Sequence, residues 1–281
     1  MTSFLLLLLR HRMGRSGIII ITLFISAAIF APFLGTVNPS ESGEYENILR
    51  PPTLRFWLGT DDFARDIWSQ VIYGSRISLT IGLLAAFITV FTGSFIGLIS
   101  GFYGGFIGEL LMKITDFFMM LPELPLMIIL AAVMGPGIWN IILVVSLVSW
   151  PTTARVVRSQ VLSLKERPFV EASRCIGAGN FLLMFGEILP NVLPLMFAQA
   201  ILMVTAAIYA ESILSFLGLG DPTSISWGTM LHFAFESGVM ARALWWVIPP
   251  IACIVTLIVS FTFLGTAITD VMKPEYREEG L

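Results

Sequence analysis

The chain has 281 residues and a formal net charge of −3; 56% of its residues are hydrophobic and only 12% are charged, with a mean hydropathy of +0.88. A soluble domain is about one-quarter charged, so this composition excludes an ordinary water-soluble enzyme, and a slightly acidic chain without a basic stripe argues against nucleic acid as a partner. The two cysteines, Cys175 and Cys253, are far apart and no Cys/His spacing fits zinc, so neither a structural disulfide nor a metal site is expected from them.

A helix needs about 20 apolar residues to cross a bilayer. In chain order, "MTSFLLLLLRHRMGRSG" (1–17) places a basic cluster behind a short apolar stretch. It reads as an interfacial helix leading into an uncleaved first span, Gly17–Gly35. Segment 36–76 follows. Within it "LGTDDFARDIWSQVIYG" (58–74) predicts one amphipathic helix, led by Asp61, with Asp61 and Arg65 as i,i+4 partners and Gly74 at its end. Asp61, Asp62 and Asp66 have the chemistry for a hard cation. Carboxylates at a helix start account for them without one, and no metal site is expected there.

The second span is Ile77–Ser100, with Gly93, Gly97 and Gly101 spaced to make a smooth face. That face serves packing within the subunit, with a seam to a sister subunit as the alternative; Gly104, Gly105 and Gly108 shape the turn beyond it. The third span, Ile114–Met134, contains Asp116 and Glu123, and Glu123 is flanked by the helix breakers Pro122 and Pro125. Span four is Ile138–Val157, span five Val192–Leu217 with Glu211 late in it, and span six Leu244–Ile268. Ionisable groups at membrane depth are costly and point to function. Asp116, Glu123 and Glu211 are therefore candidates for a translocation path or its gate, against a role in interhelical hydrogen bonding; for Glu211 the structural role is favoured. Trp227, Trp245 and Trp246 read as an aromatic belt.

The fold class is thus an all-α polytopic membrane protein with six transmembrane helices. Residues 1–76 form the interfacial helix, first span and external loop; residues 77–281 form a five-helix core. Arg10, Arg12 and Arg15 precede span one, Arg155, Arg158, Lys165, Arg167 and Arg174 lie in or after the end of span four, and Lys273 and Arg277 follow span six. The positive-inside rule places these in the cytoplasm, both termini included, with 36–76 and 218–243 outside.

One cytoplasmic stretch, "RPFVEASRCIGAGNF" (167–181), interrupts the oil. Pro168 can open a helix, Phe169, Ala172, Ser173 and Ile176 make a partial apolar stripe, Glu171 and Arg174 suit the helix dipole, and Gly177 and Gly179 stop it. A helix this short is not stable alone. It lies against its own span ends, or it is a knob for a socket on a soluble partner; the residues alone slightly favour the first.

This stretch resembles the EAA signature of permease subunits of binding-protein-dependent ABC importers. Glu171-Ala172-Ser173 is followed after three residues by Gly177, and after nine more by Glu187-Ile188-Leu189-Pro190. Ser173 replaces a second Ala, and Glu187 fills a usually apolar slot, with Ile188 taking over the apolar work. "LGTDDFARDIWSQVIYGSRISL" (58–79), "SGFYGGF", "ESILSFLGLG", "SWGTML" and "LGTAITDVMKPEYR" are similar to peptide and nickel permeases, in order along nearly the whole chain. Ala64 stands where that family usually has Gly, and Thr269 where an Arg is common.

The resemblance implies a type I ABC importer permease fold, the second subunit of a heterodimeric permease in the inner or plasma membrane. It implies a coupling helix near 168–179, with Glu171, Ala172, Ser173, Arg174, Ile176 and Gly177 engaging an ATPase, and an external mouth at Asp61, Arg65, Asp66 and Arg76 where a substrate-binding protein docks. It further implies two P-loop ATPase partners that hold ATP and Mg; no G-x-x-x-x-G-K-[ST] occurs here, and no cofactor is expected in this chain. Peptides are the expected cargo, with nickel or another small chelate or a glutathione-like solute as the alternative. The rivals are an ion-coupled secondary transporter, for which no internal repeat is visible, and an intramembrane enzyme, for which no catalytic set is visible.

Overall fold

The computed structural model describes residues 7–39 and 41–272. The first residues of the expected interfacial helix, and Lys273 and Arg277 at the other end, lie outside the described residues. The regular structure of the described residues is helix, with one isolated bridge between Thr60 and Asp66.

Helix α1 spans Arg12–Ile29 and is capped by His11, whose Nδ1 accepts from Gly14 N–H. It ends before the expected Gly35 because Pro32 has no N–H for the Ala28 carbonyl; a single turn, Ala31–Leu34, follows. The freed carbonyls of Ala28 and Ile29 are taken by the Arg76 guanidinium, the second at 3.0 Å. Arg76 is thereby the C-terminal cap of α1.

Helix α2 runs unbroken over Ile67–Tyr103. At 1.5 Å per residue it is about 55 Å long, so it projects well beyond a hydrocarbon core of about 30 Å. The expected separate helix over 58–74 does not exist. Residues 58–65 are loop, Asp66 caps α2 through Ser69 N–H, and Gly74 sits inside the helix, where a Cβ would lie 3.1 Å from the Trp227 ring. Gly74 is there for close packing, not for helix termination.

The expected third span is two helices, α3 over Gly105–Met120 and α4 over Glu123–Met134, meeting at 89°. Leu121 is extended, as a residue before proline prefers, and Pro122 stands at the N-cap of α4. Pro125 falls in the first turn of α4, where its missing N–H costs nothing. Gly104 and Gly105, at φ +60 and +49, make the turn between α2 and α3.

Helix α5 covers Ile138–Lys165, a short helix α6 covers Pro168–Cys175, and α7 covers Asn180–Phe216 with a π-helical turn at Leu183–Ile188. Helix α8, Trp227–Glu236, packs against α7 and against α9, Leu244–Met272. Five helices are long and apolar enough to span a membrane, and the bent α3–α4 pair makes a sixth crossing if it is one broken span.

The bundle is organised around α2 and α5. A Cβ at Gly93 would lie 2.6 Å from the Trp150 carbonyl oxygen, at Gly97 2.5 Å from that of Ala154, and at Gly101 2.8 Å from Val161. The glycine face therefore packs inside the subunit, which decides between the two readings of it. Trp227 and Trp246 are fully buried, and Trp227 Nε1 donates to the Val71 carbonyl at 3.0 Å. They belong to the core and not to a lipid-facing belt; Trp245 is half-buried and donates to the Thr60 carbonyl.

The two ends of the bundle differ. At one end Leu8 packs with Ala267, Ile268 and Val271, and His11 Nε2 approaches Asp270 Oδ2 at 3.9 Å, so the beginning of α1 and the end of α9 sit together. Helix α6 is at this end, against the last turns of α2 and α5. Loop 35–66 and segment 217–243 are at the other end. A side chain at Gly97 has no room: Gly97→Leu should destabilise the bundle by about 1–3 kcal/mol or more through overpacking. It is expected to lower the detergent melting temperature, whereas Gly179→Ala, where the added methyl meets open space, should leave it unchanged.

Candidate functional site

The short helix α6 is built from a sequence that cannot hold a helix in water unaided. Three local devices hold it. Arg167 is extended ahead of Pro168, which opens the helix at its first position. Glu171 in the first turn and Arg174 in the last match the dipole. At the end, Gly177 N–H donates to the Arg174 carbonyl and Ala178 N–H to the Ser173 carbonyl, both at 3.0 Å. That is a Schellman cap, and it needs the positive φ of +91 that Gly177 supplies.

The residues alone slightly favour packing of this helix on its own span ends, but its apolar stripe faces away from the bundle. Phe169, Ala172 and Ile176 are exposed, Ile176 by 87%. The anchor is Val170, fully buried among Leu98, Val157, Val161, Leu183, Ile188 and Val192. Ile188 thus fills the apolar place that Glu187 vacates. Ser173, the fourth member of the stripe, is half-buried and donates through Oγ to Glu187 Oε1 at 3.2 Å. Sequence reasoning missed Val170 because the stripe was drawn through Phe169, Ala172, Ser173 and Ile176 and left it out; the i,i+3 pair Val170 and Ser173 was the available signal.

The acids named as pathway candidates separate into two groups. Asp116 pairs with Arg155 at 2.6 Å, joining α3 to α5, with side chains 49% and 56% exposed. Glu123, exposed at the start of α4, accepts from Ser149 Oγ at 2.7 Å, joining α4 to α5. These two flank the bend between α3 and α4 on an open side of the subunit. Glu211 is elsewhere. It is fully buried, accepting from Ser78 Oγ at 3.4 Å and Ser215 Oγ at 2.9 Å, and ties α7 to α2.

The candidates at the far end organise a loop. Asp61 is fully buried; one oxygen accepts from the Phe63 and Arg65 N–H groups, the other from Arg65 Nε at 2.7 Å and Gln70 Nε2 at 2.8 Å. The Asp61–Arg65 pair exists, but across a turn and not along a helix. Asp66 is buried too, its Oδ2 accepting from Thr36 Oγ1, Ser69 N–H and Ser69 Oγ, which fastens the chain leaving α1 to the head of α2. Ala64 has φ +56, the left-handed conformation that glycine adopts without strain. Asp62 keeps a buried oxygen without a hydrogen bond, and burial, together with the neighbouring Asp61 charge, raises its pKa above the usual carboxylate value.

This arrangement, a bundle with a short, outward-facing, capped helix between its spans at one end, can now be set beside known proteins. The family model for the binding-protein-dependent transport system inner membrane component matches residues 93–278. The chain belongs to this family. The permease is 35% identical over 276 residues to the di/tripeptide transport system permease protein DppC of Pseudomonas aeruginosa, covering 95% of this chain and 90% of that protein. It is 36% identical over 269 residues to the oligopeptide transport system permease protein OppC of Bacillus subtilis, covering 95% and 87%. The match to the dipeptide permease of Alkalihalophilus pseudofirmus is 35% over 269 residues, with 95% and 88% covered. The chain is therefore a multi-pass membrane permease component.

The raised pKa of Asp62 makes folding of loop 58–66 pH-dependent. The folded loop retains a proton that the unfolded chain gives up, so stability from this group is full below the usual aspartate range and is lost as pH rises through the raised value. Asp62→Asn should remove that slope and protect the loop at neutral pH, read as slower amide exchange over 58–66 at pH 7 than in the parent, with the difference vanishing at low pH.

Proposed function

We propose that this chain is one of two permease subunits of an ATP-driven importer of di- or oligopeptides, and that α6 is its contact with a separate ATPase. The observation that carries the reading is the orientation of α6. Its anchor, Val170, points into the bundle, while Phe169, Ala172 and Ile176 face outward beside Glu171 and Arg174. An exposed apolar ridge framed by charge fits a groove on a soluble partner. The named relatives carry peptides, and their likeness over nearly the full chain favours peptides over a nickel chelate or a glutathione-like solute.

The basic residues Arg12, Arg15, Arg155, Arg158, Lys165, Arg167 and Arg174 concentrate toward the end that carries α6, which supports reading that end as the cytoplasmic one. ATP and Mg belong to the partner ATPases, and this chain does no covalent chemistry. ATP-bound closure of the ATPase pair draws the coupling helices together and tilts the permeases outward; hydrolysis releases them. Because ATP binding stabilises one of two states, it drives alternating access.

The open flank that exposes Glu123 and the Asp116–Arg155 pair faces the second permease and the pathway, since charged groups facing lipid are expensive. At the outer end, Asp61 and Asp66 are buried, so what they contribute to docking of a binding protein is the shape of the loop and not their own carboxylates. Arg76 contributes by holding the end of α1.

Gly177 meets open space but sits at φ +91. A β-branched residue there costs about 1–3 kcal/mol of backbone strain and unwinds the cap. Gly177→Val should insert normally, hydrolyse ATP when assembled with its ATPases, and fail to import. Import at the parental rate by a correctly assembled Gly177→Val complex would rule out α6 as the coupling element.

A further inference from the structure

Helix α6 has very little holding it to the permease. Its apolar attachment is Val170 alone, and among the described residues one side-chain hydrogen bond joins it to another element: Ser173 Oγ to Glu187 Oε1. Besides the chain itself at either end, force arriving at α6 has those two routes into the bundle.

The acceptor is placed by an irregularity. Buried positions at the start of α7 are Leu183, Met184, Ile188 and Val192. A π turn covers Leu183–Ile188. In an unbroken α-helix, position 187 would share the apolar face with 183 and 184. The extra residue turns Glu187 out of that face to the flank of α6, and Asn191 Nδ2 binds the Glu187 carbonyl at 2.7 Å, holding the backbone there. π turns are uncommon and recur where a side chain must be re-aimed.

The two residues at which the EAA-like stretch departs from its pattern, Ser173 and Glu187, are the two that meet. A serine with no acceptor, or a half-buried glutamate with no donor, would each be a cost; together they form a charge-assisted bond.

We infer that Ser173 and Glu187 form a clasp that makes α6 and the base of α7 move as one body, so that both are positioning residues for energy coupling. The inference rests on α6 being the coupling helix. Val170 alone is a greasy pivot, which permits rotation about the helix axis; the directional bond from Ser173 removes that freedom. Motion of α6 then becomes rotation of α7, and α7 is tied by Glu211 to Ser78 on α2.

The test uses the full importer, reconstituted with its ATPases and binding protein, reading uptake of a labelled tripeptide per ATP hydrolysed. Ser173→Ala and Glu187→Ala should each lower that ratio roughly three- to tenfold, as loss of one ordinary, partly exposed hydrogen bond predicts. Co-purification of the ATPases should be unchanged. Ser173→Thr and Glu187→Gln, which keep a donor and an acceptor, should restore most of the ratio. The Ser173→Ala/Glu187→Ala double variant should be no worse than either single. Parental coupling in both alanine variants, or additive losses in the double, overturns the clasp. Gly177→Val, run alongside, separates the two readings: if it uncouples while the alanine variants do not, the clasp falls and the coupling helix stands; if it too imports normally, the coupling helix falls with it.

Discussion

The structure depends on the approach of α2 to α5. Gly93, Gly97 and Gly101 let backbone meet backbone, with the carbonyls of Trp150 and Ala154 lying where side-chain carbons would otherwise be. In lipid no hydrophobic force drives helices together, so close van der Waals packing of this kind does much of that work. Every functional element hangs on one of these two helices. The far end of α5 delivers α6, its flank receives Asp116 through Arg155 and Glu123 through Ser149, and the head of α2 carries loop 35–66. A shift in the α2–α5 seam would move all of them.

The second constraint is that polar groups inside a bilayer protein must find one another. Breaks in the helices are each answered by a side chain. Pro32 frees two carbonyls and Arg76 takes them. The π turn lifts Glu187 away from the apolar core, and Ser173 and Asn191 meet its side chain and its backbone. Glu211, in the protein interior, is satisfied by serines from its own helix and from α2. The acids differ in this respect: Glu211 is enclosed, while Glu123 and Asp116 each have one partner among the described residues and still face outward.

Helix α6 is a small element, pinned by one valine, one serine and a glycine cap, with its outer face uncovered. A loosely attached helix suits the proposed task of transmitting movement, provided that the attachment resists rotation. In that proposal Ser173 and Glu187 supply the resistance.

Much of this was legible in the sequence. Six apolar runs mark the crossings, because the bilayer sets the length of a helix. The EAA-like spacing marks a short helix with its cap, because Pro, Glu, Arg and Gly each have a preferred place along one. What the tertiary structure alone decided is which way things face. Periodicity reports a stripe on α6 but not whether bundle or partner covers it, and Val170 took the inward place. Spacing showed that Gly74 can end a helix, but the Trp227 ring against it shows that the glycine is there for room. Aromatic belts and buried tryptophans have the same sequence signature, and only packing separates Trp227 and Trp246 from the lipid. The pairing of Ser173 with Glu187 spans 14 residues and a π turn, and no local rule predicts where a π turn re-aims its side chains.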